Sequence, residues 1–505
     1  MTTLTTDQAE DLRHPGRAIA LDHPRDVSGA PTHPLYREYA DLWRFYRLSY
    51  AGGPDYCESF LFSHEKEREK DFARRMQRAY YPNHTRLVVD TYASHLYRNT
   101  ISRQPGSETI ERLHDNMDLR GTTADQFYEK FARKVKAAGV AHILVDKTRT
   151  EDGTRPLTRA QEREAGIAPY TQIIDPEDLI DWRMDRHGRF VWAMIREPEP
   201  TSRGPFDAPD APRWRYRVWH KETWELYSLT EGESPEGKKT TSAQIVEWGR
   251  HPCGRVPIVS GFWGERRGCE PIATSAIQDL APANRRLFNF VSLIDEQIYQ
   301  HVFNVLCVPQ EMWEQIKSQQ GSFSVAGMIP VPSDSAKPFY LGPDVSQINT
   351  IRSEIEKTEN EVRRLSGLGY TGETSAAAHS GEALSYLQHD KNALLLKFGA
   401  RMADVEAQVD ELASLWMEMP HPKENDRSYP ESYDIDGLSK ELKQGQDLLS
   451  LGLGGKARAE VHKQAFTRSA FGRRLDADNL DKILSDIDAR AELEAQLIEQ
   501  SRNGA

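Results

Sequence analysis

Leu395, Phe398, Met402, Val405, Val409, Leu412, Trp416 and Met419 follow one another at alternating steps of three and four residues. The spacing predicts one helix from Gly381 to Glu418 with an unbroken apolar stripe. At ~1.5 Å per residue such a helix runs about 57 Å, too long for the interior of a compact domain. It needs neighbours along its whole length, from the same chain or from copies of it.

Two further patterns of this kind precede it. Pro282 suits a first helical turn, and Leu287, Val291, Ile294, Ile298, Val302 and Val305 then recur by threes and fours. Ile348, Ile351, Ile355, Thr358, Val362 and Leu365 repeat the pattern. Between them lies an insert, VPQEMWEQIKSQQGSFSVAGMIPVPSDSAKPFYLGP, that reads as one short amphipathic helix with strand-like pieces. After the second comes the small, polar stretch GLGYTGETSAAAHSG.

The first half of the chain reads differently. From Pro34 the pattern is helical and aromatic, and after the break at Pro82 and Asn83 the residues Leu87, Tyr92, Leu96 and Ile101 keep helical spacing toward a core. ADQFYEKFARKVKAAG is predicted to run as a helix to Gly139 and on into a strand, VAHILVD. Asp175 and Pro176 suit the start of a one-turn helix between two strands. Trp214, Tyr216 and Val218, alternating with Arg213, Arg215 and Arg217, then suggest a β-meander with a solvated face. Beyond Pro420, Leu438, Leu442, Leu448 and Leu449, and later Leu480, Ile483 and Ile487, mark amphipathic helices. There is no internal repeat.

The 505 residues carry 65 Lys or Arg against 77 Asp or Glu, a net charge of −12. That balance excludes a protein that clasps nucleic acid by releasing counterions. The most apolar stretches, such as Ala393 to Phe398, meet charge long before the ~18 residues a membrane span needs. The first residues carry early acids and no apolar core, so no secretion signal is expected, and residues 1–33 read as a flexible arm. Cys57, Cys253, Cys269 and Cys307 form no CxxC pair, which fits a reducing compartment.

Local chemistry is sparse. Gly367, Gly369 and Gly372 satisfy G-x-G-x-x-G, but a charged helical segment precedes them where a dinucleotide site needs a strand. Lys456 follows Gly454 and Gly455, yet Ala457 stands where a phosphate loop needs Ser or Thr. Asp175, Glu177, Asp178, Asp181 and Asp185 form the densest carboxylate cluster, which a divalent-metal nuclease would use and which capping and turn roles also explain. No Ser-His-Asp or Cys-His set is supported, so no catalytic residue, metal or cofactor is expected. The arginines from Arg213 to Arg217 would stack on bases or simply face water.

IIDPEDLIDWRM, an arginine-ended strand, and RVPIVSGFWGERRGCEPIATSAIQDLAPANRRLFNFVSLIDEQIYQHVFNVLCVPQ together resemble the portal, or head-to-tail connector, proteins of tailed bacteriophages. So does the order of helix, insert, helix, glycine-rich loop and very long helix from Pro282 to Met419. The resemblance covers roughly Pro34 to Met419 well and the C-terminal helices loosely. It implies an α/β (α+β) portal fold: an N-terminal wing of mixed strands and helices (34–265), a stem helix region (266–306), a small α/β clip (307–344) and a second stem helix (345–366). A tunnel loop (367–380), a long wing-crossing helix (381–419) and a helical crown (420–505) complete it. The 1–33 arm departs from a minimal portal.

The resemblance further implies a ring, usually of twelve subunits, at one capsid vertex of the virion. It would be assembled in the bacterial host cytoplasm and pass double-stranded DNA during packaging and ejection. Terminase large subunit, head-completion adaptors, major capsid protein and scaffolding protein would be its partners, with no enzymatic activity and no membrane. By this reading Gly367, Leu368, Gly369, Tyr370, Thr371, Gly372, Thr374 and His379 line the channel. Trp313, Gln315, Lys317, Phe323, Phe339 and Tyr340 face terminase or adaptors. The residues add one independent point: Asp344 to Met419 holds 13 acids and seven Lys or Arg, net −6, half the whole deficit. An acidic wall repels phosphates and keeps DNA mobile. The rival readings are a metal-dependent DNA-processing enzyme built on the Asp175 to Asp185 carboxylates, or another head-completion or scaffold component.

Overall fold

The computed structural model describes residues 18–20, 30–65, 67–98, 101–148, 159–199, 213–233, 239–302, 305–318, 328–332, 337–341, 345–366, 381–420, 427–430 and 433. Short C-terminal pieces, 459–460, 462–463, 466, 482–490 and 492, are also described. Strand β1 (Ala18–Ala20) precedes helices α1 (Pro34–Ala51), α2 (Pro54–Phe60), α3 (Glu69–Arg78) and α4 (His84–Leu96). Then come β2 (Ser102–Arg103), α5 (Glu108–Asp115), α6 (Ala124–Ala138), β3 (Val140–Lys147) and α7 (Arg159–Glu164). Strands β4 (Pro169–Ile174), β5 (Leu179–Met184), β6 (Phe190–Pro198), β7 (Trp214–Trp219), β8 (Thr223–Glu233), β9 (Lys239–Arg250) and β10 (Ile258–Phe262) follow without a helix. The last part holds α8 (Leu280–Val302), β11 (Val305–Pro309), α9 (Gln310–Ser318), β12 (Met328–Val331), β13 (Phe339–Leu341), α10 (Val345–Ser366), α11 (Gly381–Trp416) and β14 (Arg427–Ser428).

The chain divides into two compact units, residues 1–387 with 397–429, and residues 388–396 with 430–505. In the first, β5 to β9 form the expected meander, and β1 extends its edge in the order β1-β9-β8-β7-β6-β5, antiparallel throughout. Two pieces of the stretch read as an arm are therefore placed. Ile19 pairs with Ala243, and the His33 N–H donates to the Ile180 carbonyl at 3.0 Å while its ring stacks on Trp182 at 4.2 Å.

A second antiparallel sheet, β10-β3-β4, holds the centre of the core. Val140 to Val145 of β3 are all buried, as are Phe127, Tyr128, Phe131 and Val135 of α6. Gly139 joins the two with φ +88°, and a Cβ there would stand 2.4 Å from the Ala273 carbonyl oxygen, so the close approach requires glycine. Helix α4 starts on Asn83, whose side chain accepts from the Arg86 N–H at 2.8 Å. Its core stripe runs through Thr85, Val88, Val89, Tyr92, Ala93 and Leu96, whereas Leu87 is 58% exposed, against the expectation. Ile101 is buried but lies beyond the helix.

Two other local readings are corrected. Residues 175–178 form a hydrogen-bonded turn, Asp178 N–H to Asp175 carbonyl at 2.9 Å, and not a one-turn helix. Helix α8 ends at Val302, and Val305 opens a strand. In the second unit Leu395 is buried and the Tyr433 N–H donates to Asn392 at 2.9 Å. Residues 482–490 there are helical, while Leu438, Leu442, Leu448, Leu449 and Leu480 lie outside the described residues.

Candidate functional site

Helix α11 is 36 residues long, and Phe398, Met402, Val405, Val409, Leu412 and Trp416 are all buried, as their spacing requires. Trp416 fixes its far end: the indole N–H donates to the Val145 carbonyl at 2.8 Å and the ring meets Trp219 edge-on at 6.3 Å. Phe398 packs on Trp263 at 4.8 Å.

Between those anchors the buried face carries two acids. Glu406 and Asp410 sit one turn apart, both with no exposed surface. Arg103 grips Glu406 with two N–H groups, at 2.8 and 3.0 Å, and reaches Asp125 at 2.5 Å. Arg427 donates to Asp410, whose other oxygen lies 3.0 Å from His114 Nε2. Tyr429 donates to Glu406 at 2.6 Å, and its hydroxyl lies 3.2 Å from that of Tyr97. Burial, followed by the Glu406 charge, holds the Tyr97 hydroxyl well above its ordinary pKa. Strands β2 and β14 pair as Arg103↔Arg427 and Ser102↔Ser428, which sets the two guanidiniums side by side beneath the helix. Bidentate arginine on a desolvated carboxylate is the strong form of this contact. The network was missed from sequence, although acids at 406 and 410, on the stripe that also holds Val405 and Val409, were its visible sign.

Helices α8 and α10 lie side by side, joined by Arg286 to Glu354 at 2.9 Å. The ends facing the insert meet at a small mixed sheet, β12-β11-β13, in which β11 runs parallel to β12 and antiparallel to β13. With α9 this is the helix and strand set expected there. Trp313 and Gln315 lie on α9, half-buried and exposed respectively. Lys317 falls on α9, and Phe339 and Tyr340 on β13. Phe323 lies outside the described residues, as does the whole stretch expected to form the tunnel loop, from Gly367 through Leu368, Gly369, Tyr370, Thr371, Gly372 and Thr374 to His379.

The carboxylates that a metal enzyme would use are dispersed among cations from different elements. Lys134 holds Asp175 at 2.6 Å, Arg47 holds Glu177 at 2.8 Å and Arg196 holds Asp178 at 3.2 Å. Asp185 accepts from the backbone of Arg189 and His187, which keeps its pKa below the usual range. Among the described residues no group of three His, Cys, Asp or Glu is placed to hold a metal ion. The arginine stripe is likewise engaged: Arg215 pairs with Glu199 at 2.8 Å and Arg217 with Glu197 at 2.7 Å, with the Arg217 guanidinium 4.8 Å from the Trp224 ring. These two are half-buried ion pairs, and neither the solvated face nor the base-stacking reading describes them.

The chain matches no family model and no curated protein. Among solved structures it is similar to a chain of the "Virion of native gene transfer agent (GTA) particle", at 11% identity and TM-score 0.35, covering 83% of this chain and 98% of that one. It is also similar to a chain of the "Neck of empty GTA particle computed with C6 symmetry", at 11% identity and TM-score 0.40, covering 79% and 94%. A third is a chain of the "Neck of native GTA particle computed with C12 symmetry", at 10% identity and TM-score 0.39, covering 81% and 98%.

Proposed function

We propose that this chain is the subunit of a portal-type ring at the vertex of a phage-like particle, a conduit for double-stranded DNA with no chemistry of its own. The observation that carries the reading is the α8–α10 pair. Two helices of 23 and 22 residues project a small α/β insert, and the second half of α8 keeps Leu293 and Ile298 at the surface, 39% and 47% exposed. Apolar side chains that no described residue covers call for copies of the chain beside them.

The electrostatics support passage over capture. Of the 13 acids from Asp344 to Met419, Glu406 and Asp410 are turned inward and neutralised and Glu354 and Glu411 pair with Arg286 and Arg255 from outside the stretch, which leaves nine acids against seven basic residues. The excess is smaller than the sequence count implies and keeps its sign, so a wall built from these helices repels phosphate. In this reading the loop 367–380 touches the cargo, the insert with Trp313, Gln315, Lys317, Phe323, Phe339 and Tyr340 receives terminase and later the adaptors, and ATP hydrolysis belongs to the terminase.

Electron-microscope images of the purified protein, with its solution mass, test the proposal. A closed ring with an axial hole is expected. A stable monomer with no assembled form overturns it.

A further inference from the structure

Strand β10 is an edge of its sheet, and the edge is open. The Pro257 carbonyl accepts from Val145 and the Trp263 N–H donates to the Gly139 carbonyl, each at 2.9 Å, so the odd-numbered positions of β10 face β3. The backbone N–H and C=O groups of Ile258, Ser260 and Phe262 point the other way, and no described residue pairs with them. They face a groove of about 770 Å³ whose far wall is helix α11, through Arg401, Asp404, Val405, Gln408 and Leu412. A row of unpaired backbone groups beside a half-apolar slot is a template for one more strand. The slot is within the size range of a built ligand site.

Charge says what kind of strand. Arg189, Arg266 and Arg401 line the groove against Glu265 and Asp404; Arg266 donates to the carbonyls of Gly188, Cys269 and Glu270 and Arg401 to that of Trp263, contacts that leave their charge uncompensated, while Arg255 is paired with Glu411 at 2.7 Å. An extended segment that brings carboxylates and no cation complements this lining. The chain holds such a segment: Thr2 to Asp11, TTLTTDQAED, has β-branched threonines around Leu4 and then Asp7, Glu10 and Asp11, with no Lys, Arg or His before Arg13. Residues 1–17 lie outside the described structure, and the next three, β1, already complete the edge of the other sheet at β9.

We propose that the groove between β10 and α11 is a strand-acceptor site for residues 2–11. The bound segment bonds the free edge of β10 and sets its acids toward Arg189 and Arg401.

Hydrogen exchange on the full chain and on a chain lacking residues 2–11 tests this. The amides of Ile258, Ser260 and Phe262 are expected to exchange at least tenfold faster without the segment, and a synthetic peptide of residues 1–12 restores their protection. Val259 and Gly261, bonded to β3, report that the sheet is intact in both. Equal rates for the outward amides in the two chains overturn the proposal. A cross-link gives a second reading: in a Cys269→Ser background, Thr5→Cys with Gln408→Cys forms a disulfide on oxidation, at a yield that Arg189→Glu lowers severalfold. The bond supports the site whether it closes within one chain or between two copies, and the mass of the product tells which. Its absence, where Ile19→Cys with Ala243→Cys does link, counts against the site.

Discussion

Arg103 and Glu406 are 303 positions apart in the chain and meet through two parallel N–H to oxygen bonds, in a place where Glu406 has no exposed surface. Removing one member leaves the other charged and desolvated. Arg103→Ala and Glu406→Ala are each expected to cost about 3–5 kcal/mol of stability, while Arg103→Met combined with Glu406→Leu costs clearly less than either. Thermal unfolding of the three variants checks it; a double variant at least as unstable as the worse single one would contradict the account.

Lys136 is buried, and no carboxylate among the described residues pairs with it. Its amine stands 3.5 Å from the centre of the Tyr92 ring and 3.9 Å from that of Trp263, and burial pushes its pKa from 10.5 down to about 7. The unfolded chain keeps the proton up to the ordinary value, so between pH 7 and 10.5 unfolding takes up a proton. Over that window the residue's contribution to stability rises with pH, and below it the burial cost stands in full. Lys136→Met is therefore expected to raise Tm most near pH 6, with the gain shrinking toward pH 10. A gain independent of pH would refute the assignment.

Gly139→Ala places a methyl against the backbone of Ala273 to Ser275 and holds alanine at φ +88°. The strain alone costs about 1–3 kcal/mol. Because neither backbone segment has a flexible end to move, the measured loss in chemical denaturation is expected at or above the top of that range.

Asp178→Asn with Asp181→Asn separates a structural from a catalytic role for the acidic cluster. Asp178 pairs with Arg196, and burial raises its pKa, so the neutral amide is well tolerated there. Ring formation measured by sedimentation is expected to survive. Loss of a DNA-hydrolysing activity that the unaltered protein possesses would restore the enzyme reading.

Shortening the chain between Leu368 and His379 is expected to change the length of DNA that the particle retains. Gel sizing of packaged genomes reads this directly, and an unchanged length removes the loop from the account.

The helices were legible because one period runs the length of each. Phe398 to Trp416 are buried at the positions their spacing names, and Gly139 ends α6 where a left-handed residue was needed. Partners across the chain were not legible. Arg215 and Arg217 find Glu199 and Glu197 only once the register of β6 on β7 is set, and periodicity cannot supply that register across the intervening loop. Leu87 was misplaced because Leu87, Tyr92 and Leu96 step by five and four, and a five-residue step turns the helix past the buried face. Val305 continued a helical count into a strand, since a short apolar run fits both periods.

Arg427 lies 11 residues beyond the end of α11 and returns to grip Asp410 inside it, and the chain leaves for the second unit at Pro430. The chain has by then crossed into the second unit at Gln388 and back at Lys397, and this last exit follows directly on residues that α11 binds. A load on that exit is shared between the covalent chain and the two ionic contacts that Arg427 makes to α11.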